Sequence, residues 1–176
     1  MRYQILASIV CGLMMAGTAA AIERRGGTEK QYAEIQAFHD RSIATYNAGN
    51  IKRSMADYLD RLRVLGTKSP RITGREQMRS NALTSAANAR SRLVAEIEEM
   101  EVNGSNIGAW AYIICRYAFV SIPKDPAKPH SAISDGRYTA LLSKTADGWK
   151  VLLDIDNGGA GAAPDLVEKL RKEISK

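Results

Sequence analysis

Histidine, cysteine and phenylalanine are scarce in this chain, two of each in 176 residues. The two histidines, His39 and His130, stand far apart in sequence. A zinc site of ordinary ligand spacing is thereby excluded, and we expect neither a metal nor a cofactor. Cys11 lies in an N-terminal apolar run and Cys115 in a later one. If the first departs with a leader, no intramolecular disulfide remains, and Cys115 reads as a small buried hydrophobe. No run of five like charges occurs. The 25 Lys and Arg and 19 Asp and Glu are scattered, net +6. A nucleic-acid partner wants a concentrated basic face, so none is expected. No internal repeat is visible.

What is present begins with a leader. Arg2 precedes the apolar run 5–17, and TAAA follows with small residues at Ala19 and Ala21. That is the three-part secretory signal, and residues 1–21 are expected to be cleaved after Ala21. The run of about 13 residues is short of the roughly 20 that cross a bilayer, so no stable membrane insertion is expected after cleavage. A periplasmic or secreted location follows. An uncleaved N-terminal anchor is the alternative.

Residues 22–27 read as a flexible tail. Thr28 and Gln31 form a capping box, and Tyr32, Ile35, Phe38, His39, Ser42, Ile43 and Tyr46 recur at helical spacing. Gly49 ends that helix and Asn50 caps a second, whose stripe is Ile51, Met55 and Leu59 beside Tyr58. RLRVL (61–65) suits an edge strand, and Pro70 a loop. Thr73 and Glu76 offer a second capping box for a third helix through about Ala87, with Met78, Ala82, Leu83 and Ala86 as its apolar face.

The period then changes. LVAEIEEMEV (93–102) reads as strand, with helix as the alternative, and Asn103-Gly104 marks a two-residue hairpin. Residues 106–121 run without a breaker except Gly108, so long a strand that the sheet must curve. Both of its faces are apolar: Ala109, Ala111, Ile113, Cys115 and Tyr117 on one, Trp110, Tyr112, Ile114 and Arg116 on the other. The pattern leaves open which lines the interior. Three prolines place 123–134 in a loop. GRYTALLSK (136–144) and WKVLLDID (149–156) make a closing hairpin. Strict alternation puts Trp149, Val151, Leu153 and Ile155 on one face and turns Asp154 to the other. Residues 158–176 read as a Gly-rich flexible linker and an amphipathic helix starting at Pro164. Helices followed by a meander give an α+β domain over 28–157: a cone-shaped curved antiparallel sheet covered by three N-terminal helices, plus the C-terminal helix.

Four segments carry a resemblance. TYNAGN (45–50), ADYLD (56–60), ITGREQM (72–78) and ADGWKVLLDIDN (146–157) occur in the order found in SnoaL-like domains. The chain resembles the nuclear transport factor 2-like superfamily, in its SnoaL-like and ketosteroid-isomerase-like branch. The resemblance implies a curved sheet, an apolar pocket and a homodimer, with Tyr58, Tyr138, Ala140, Leu153 and Ile155 lining the pocket. Carried over position by position, the isomerase tyrosine falls on Ser42, the base aspartate on Gly66 and the donor aspartate on Ala140. Gly and Ala do no proton chemistry, so isomerase chemistry of that kind is not expected. The cyclase and dehydratase branches use a His/Asp pair, for which His39, Asp60 and Asp154 are the weak candidates. The expected function is an exported, non-catalytic binding domain for a small apolar or amphipathic molecule. A dimerisation or protein-interaction module with a vestigial pocket, and a lyase, isomerase or cyclase using His39 and Asp60, are the alternatives.

Overall fold

The computed structural model describes residues 21–66, 71–159 and 161–175. The leader up to residue 20 and the loop at Pro70 lie outside the described residues. Strand β1 (Glu23–Arg25) precedes helices α1 (Glu29–Asn47) and α2 (Ile51–Ala56). Strands β2 (Tyr58–Gly66) and β3 (Ile72–Thr73) lead to α3 (Arg75–Asn88). The meander β4 (Ala89–Asn103), β5 (Trp110–Pro123), β6 (Ser134–Thr145) and β7 (Gly148–Gly158) follows, then α4 (Pro164–Ile174). One curled, open sheet runs β1-β4-β5-β6-β7-β2-β3.

Helix α1 begins as its sequence dictates. The Gln31 N–H donates to Thr28 Oγ1 at 3.3 Å, and Gln31 Oε1 accepts from the Thr28 N–H at 3.1 Å. Its buried stripe, Tyr32, Ile35, Phe38 and His39, lies on the concave face of the sheet. Both ends are pinned. Gln31 Nε2 donates to the Gly104 carbonyl at 2.8 Å, and the Asn47 amide both donates to and accepts from the Leu93 backbone at 2.8 Å.

Five local expectations are corrected. The tail at 22–27 holds β1, because the outer edge of β4 offers free backbone groups and Glu23–Arg25 pairs in parallel with Glu99–Glu101. The strand around 61–65 is β2, which lies between β7 and β3 instead of at an edge. The second capping box does not form. Thr73 is committed to pairing with Arg63, and Gly74, at φ +93°, takes the N-cap position with no side-chain bond. The 103–104 hairpin is longer than two residues: Asn103 pairs with Trp110, and Gly104 and Gly108, both at positive φ, shape the loop between. The Gly-rich segment before α4 is tied down, since the Asp135 carboxylate accepts from the Ala163 N–H at 2.8 Å and from the Gly161 N–H at 3.2 Å.

Two bulges curl the sheet. Glu98 is the extra residue in β4, between Ile97, opposite Cys115, and Glu99, opposite Ile114. Leu152 is the extra residue in β7: Leu141 pairs with Leu153, while Leu142 pairs with Val151. A bulge inserts one residue and increases the local twist. The undecided strand is settled by burial. Ala111, Ile113 and Cys115 enter the main core under α1 with Ile97, Met100, Ala140 and Leu142.

A second core lies on the convex face. There Leu166 and Leu170 of α4, both fully buried, pack with Ala163 on Val94, Ala118 and Val120. Helix α3 buries no residue fully, and Leu83 is 48% exposed. Truncating a fully buried leucine costs about 2–5 kcal/mol, whereas exposed positions move stability by roughly 0.5 kcal/mol or less. Leu170→Ala is therefore expected to lower urea-unfolding stability by about 2–4 kcal/mol, and Leu83→Ala to leave it nearly unchanged. Equal effects would show that α4 is not part of the folded core.

Candidate functional site

Directly opposed residues of an antiparallel pair share a face. Tyr138 lies opposite Cys115 and Asp156, and Ala140 opposite Ile113 and Asp154. Since Ala140, Ile113 and Cys115 belong to the main core, Asp154 and Asp156 face the inside of the cone. Leu153 and Ile155 pair with Leu141 and Thr139 on the convex side. The expectation that Leu153 and Ile155 line the pocket while Asp154 turns away is thus reversed. The physical reason is Leu152, whose insertion shifts the alternation by one residue between Val151 and Leu153.

Tyr58, Tyr138 and Ala140 lie at the core's concave face with Asp154. His39, 3% exposed, approaches them from α1, its Nε2 2.9 Å from the Tyr138 hydroxyl. Asp40 Oδ1 lies 3.5 Å from the other ring nitrogen. Burial lowers the imidazole pKa, with Asp40 opposing the shift, so the ring is held neutral. Asp60 does not join it. Its side chain is 85% exposed and paired with Arg75 at 2.5 Å, so the His39/Asp60 pairing does not form. Ser42 donates to the buried Asp57 carboxylate at 2.6 Å and joins α1 to the end of α2.

Sequence reasoning passed over Tyr117 and Asp156. The Tyr117 hydroxyl donates to Asp156 Oδ1 at 2.7 Å. Its ring stands 6.1 Å from that of Tyr138, tilted by 45°. Gly136 makes room for it: a Cβ there would meet the Tyr117 hydroxyl at 2.9 Å. The same-face spacing of Cys115 and Tyr117, and the Asp-Ile-Asp alternation of 154–156, were the available signals once the bulge is known.

The electrostatics follow from desolvation. The Asp154 carboxyl is pushed up to about 7, first by burial and then by repulsion from Asp156. Among the described residues it takes part in no hydrogen bond or ion pair that would hold it down. Burial raises the Tyr58 and Tyr138 hydroxyls, and the Cys115 thiol reaches about 12. Among the described residues no group of three His, Cys, Asp or Glu is arranged to hold a metal ion. The site is a half-buried patch at the concave face, able to donate hydrogen bonds from tyrosines and to hold or release a proton at Asp154.

The sequence model of the SnoaL-like domain matches residues 35–153, from within α1 to the middle of β7. The chain belongs to the SnoaL-like domain family. No curated protein sequence matches it. Solved structures of similar fold include the following three. A ketosteroid isomerase-like protein from Erwinia carotovora atroseptica SCRI1043 is 19% identical, with TM-score 0.61 over 74% of this chain and 98% of that one. A domain of unknown function with a cystatin-like fold from Nostoc punctiforme PCC 73102 is 15% identical, with TM-score 0.58 over 85% and 94%. An NTF-2 like protein of unknown function from Shewanella oneidensis MR-1 is 15% identical, with TM-score 0.54 over 71% and 97%. At such identities these likenesses establish the fold alone; with the family match they agree with the nuclear transport factor 2-like superfamily.

A carboxyl whose folded pKa stands above its unfolded one favours folding in its protonated form. The Asp154 contribution in this SnoaL-like domain is therefore lost as pH rises from about 4 through about 7. His39 acts in the opposite sense, its lowered pKa destabilising the fold as pH falls below its ordinary range. Comparing wild type with Asp154→Asn isolates the first effect. Between pH 5 and pH 8 the variant should gain on wild type in urea-unfolding stability by up to about 2.5 kcal/mol. Parallel pH profiles would show that Asp154 is well solvated.

Proposed function

We propose that this domain is an exported, non-catalytic binding module. It closes its concave face around a single small molecule with an apolar body and a polar end. The observation that carries this reading is Asp154, a half-buried carboxyl that the β7 bulge turns inward, with no hydrogen-bond partner among the described residues, set beside Tyr58 and Tyr138 at the edge of an otherwise apolar core. A half-buried carboxyl that no other side chain engages is free to bond the polar end of a ligand. Export rests on the leader pattern in the sequence. No described helix is long and apolar enough to cross a membrane.

Native mass spectrometry of protein purified from its own envelope tests the reading. A retained small molecule is expected. The Tyr58 hydroxyl makes no bond within the described residues, so Tyr58→Phe should weaken retention about tenfold while stability moves by about 1 kcal/mol or less. Protein that always emerges empty, and a Tyr58→Phe variant that differs only in stability, would overturn it.

Homodimerisation is proposed through the convex face. Trp110 and Leu65 are each 39% exposed there, beside the partly exposed Tyr112, Ile114, Leu141, Leu153 and Ile155. Aromatic residues of this kind are enriched in interfaces. Sedimentation at micromolar concentration is expected to give a dimer, and Leu153→Arg a monomer. A wild-type monomer would rule out the interface.

A second reading has one observation in its favour. A carboxyl near pH 7 is well matched to proton transfer, so a lyase or isomerase would use Asp154 with Tyr58 and Tyr138, the exposed Asp60 being excluded by its position. It differs from the first in one respect only, turnover of the bound molecule.

A further inference from the structure

We propose that the convex face seats a second copy of this chain about a two-fold axis running along β6, so that Glu101 of each copy meets Arg63 of the other. The inference rests on the dimer reading above and fixes the geometry of that dimer.

Residues paired across the ladder form rows on the convex face. One row, from β4 to β2, reads Glu101, Tyr112, Leu141, Leu153, Arg63. It is acidic at one end, apolar in the middle and basic at the other. The next row, Glu99, Ile114, Thr139, Ile155, Leu65, keeps its acid at the β4 end. At that edge Glu23 pairs with Glu99 in the ladder, and Arg25 stands 2.6 Å from Glu23 and 3.7 Å from Glu99, leaving carboxylates in excess. At the opposite edge Arg61, Arg63 and Arg71 are all exposed. The carboxylates nearest them in sequence are engaged elsewhere: Asp60 pairs with Arg75, and Asp57 takes the Ser42 hydroxyl with Arg41 3.6 Å away. Among the described residues none of the three arginines forms an ion pair. The residues outside the described ones contain no Asp or Glu. The acidic partner of this edge is therefore not found in its own copy.

A two-fold interface is isologous, so each residue faces the image of another. An axis along β6 reverses the order of the strands. It sets Leu141 against the partner's Leu141, Tyr112 against the partner's Leu153 and Glu101 against the partner's Arg63, the last two twice by symmetry. Neighbouring strands lie about 4.8 Å apart, so both charged ends stand about 10 Å from the axis. An axis across the strands would instead oppose Glu101 to Glu101 and Arg63 to Arg63, and like charges set face to face are disfavoured. An anionic membrane surface would be attracted at one end of the row and repelled at the other. Only a second copy matches both ends. Helix α4 covers Val94, Ala118 and Val120 further along the same face, which confines the partner to the rows from Trp110 to Ile114. The apolar middle then forms the buried centre, with Tyr112 fixed by its 2.5 Å bond to Glu99. The charged ends form the rim, where they set orientation more than affinity.

A charge-reversal cycle followed by sedimentation of the purified protein tests this. Arg63→Glu and Glu101→Arg each place two like-charge contacts in the dimer, and each is expected to raise the dimer Kd about tenfold or more. The two changes together restore opposite charges and should return Kd to within about threefold of wild type. Near-ultraviolet circular dichroism checks that all three variants fold. Added salt should weaken the wild-type dimer and strengthen those of the single variants, because it screens attraction in the one and repulsion in the others. The wild-type part of that measurement needs no variant. A double variant no tighter than the single ones, or a wild-type dimer that salt strengthens, overturns this arrangement and leaves the dimer reading standing. A wild-type monomer, whatever else it binds, overturns both.

Discussion

One inserted residue in the last strand decides what this cone contains. Before Leu152, β7 presents Trp149 and Val151 to the core in ordinary alternation. After it, Asp154 and Asp156 take the inward places opposite Ala140 and Tyr138. A slip of one residue exchanges the two faces of a strand. A bulge performs that exchange halfway along: the pairing with β6 continues on both sides of it, while the pairing with β2 jumps from Tyr58–Val151 to Arg63–Leu153. The strand is thus apolar inside at one end and acidic inside at the other. The inward carboxyls of Asp154 and Asp156 and the outward places of Leu153 and Ile155 descend from that insertion.

The surrounding residues make the acidic end tolerable without neutralising it. Tyr117 reaches Asp156 because Gly136 has no side chain to obstruct it. His39 is spent on Tyr138, and its burial keeps it uncharged. What remains for Asp154 is a shifted proton equilibrium. A carboxyl in poor solvent with a like charge two residues away responds by holding its proton longer. This is a cost borne by the folded state, and it is the kind of local conflict that marks functional positions.

Much of the scaffold was legible in the sequence, because local rules govern it. Thr28 and Gln31 cap α1 through contacts only three residues apart, and Asn50 caps α2 in the same way. The order of helices before a meander was readable from the change of period alone. Other features depend on partners distant in sequence. Thr73 has the chemistry of a cap but is drawn into pairing with Arg63. Glu23–Arg25 has no strand signature of its own and becomes one because β4 has a free edge. The bulge was the least legible of all. Leu152 sits in an unbroken apolar run with no glycine or proline beside it, so alternation counted from Trp149 passes through it unnoticed and assigns Leu153, Asp154 and Ile155 to the wrong faces. The family resemblance did not repair this, since it matched the segment as a continuous strand.

The insertion ties the two faces of the sheet together. Moving Asp154 inward necessarily moves Leu153 and Ile155 outward, where they join Leu141, Tyr112 and Trp110. The convex side had to bury part of its apolar surface, and α4 does so over Val94, Ala118 and Val120. That helix lies toward the far end of β5, leaving the patch around Leu153 uncovered. An interior carboxyl and an exterior apolar patch are therefore two results of one backbone irregularity. A chain that lost the insertion would exchange the inward and outward residues of β7 on one side of it. The polar site and the bare face belong to the same structural choice, and neither can be altered at Leu152 without the other.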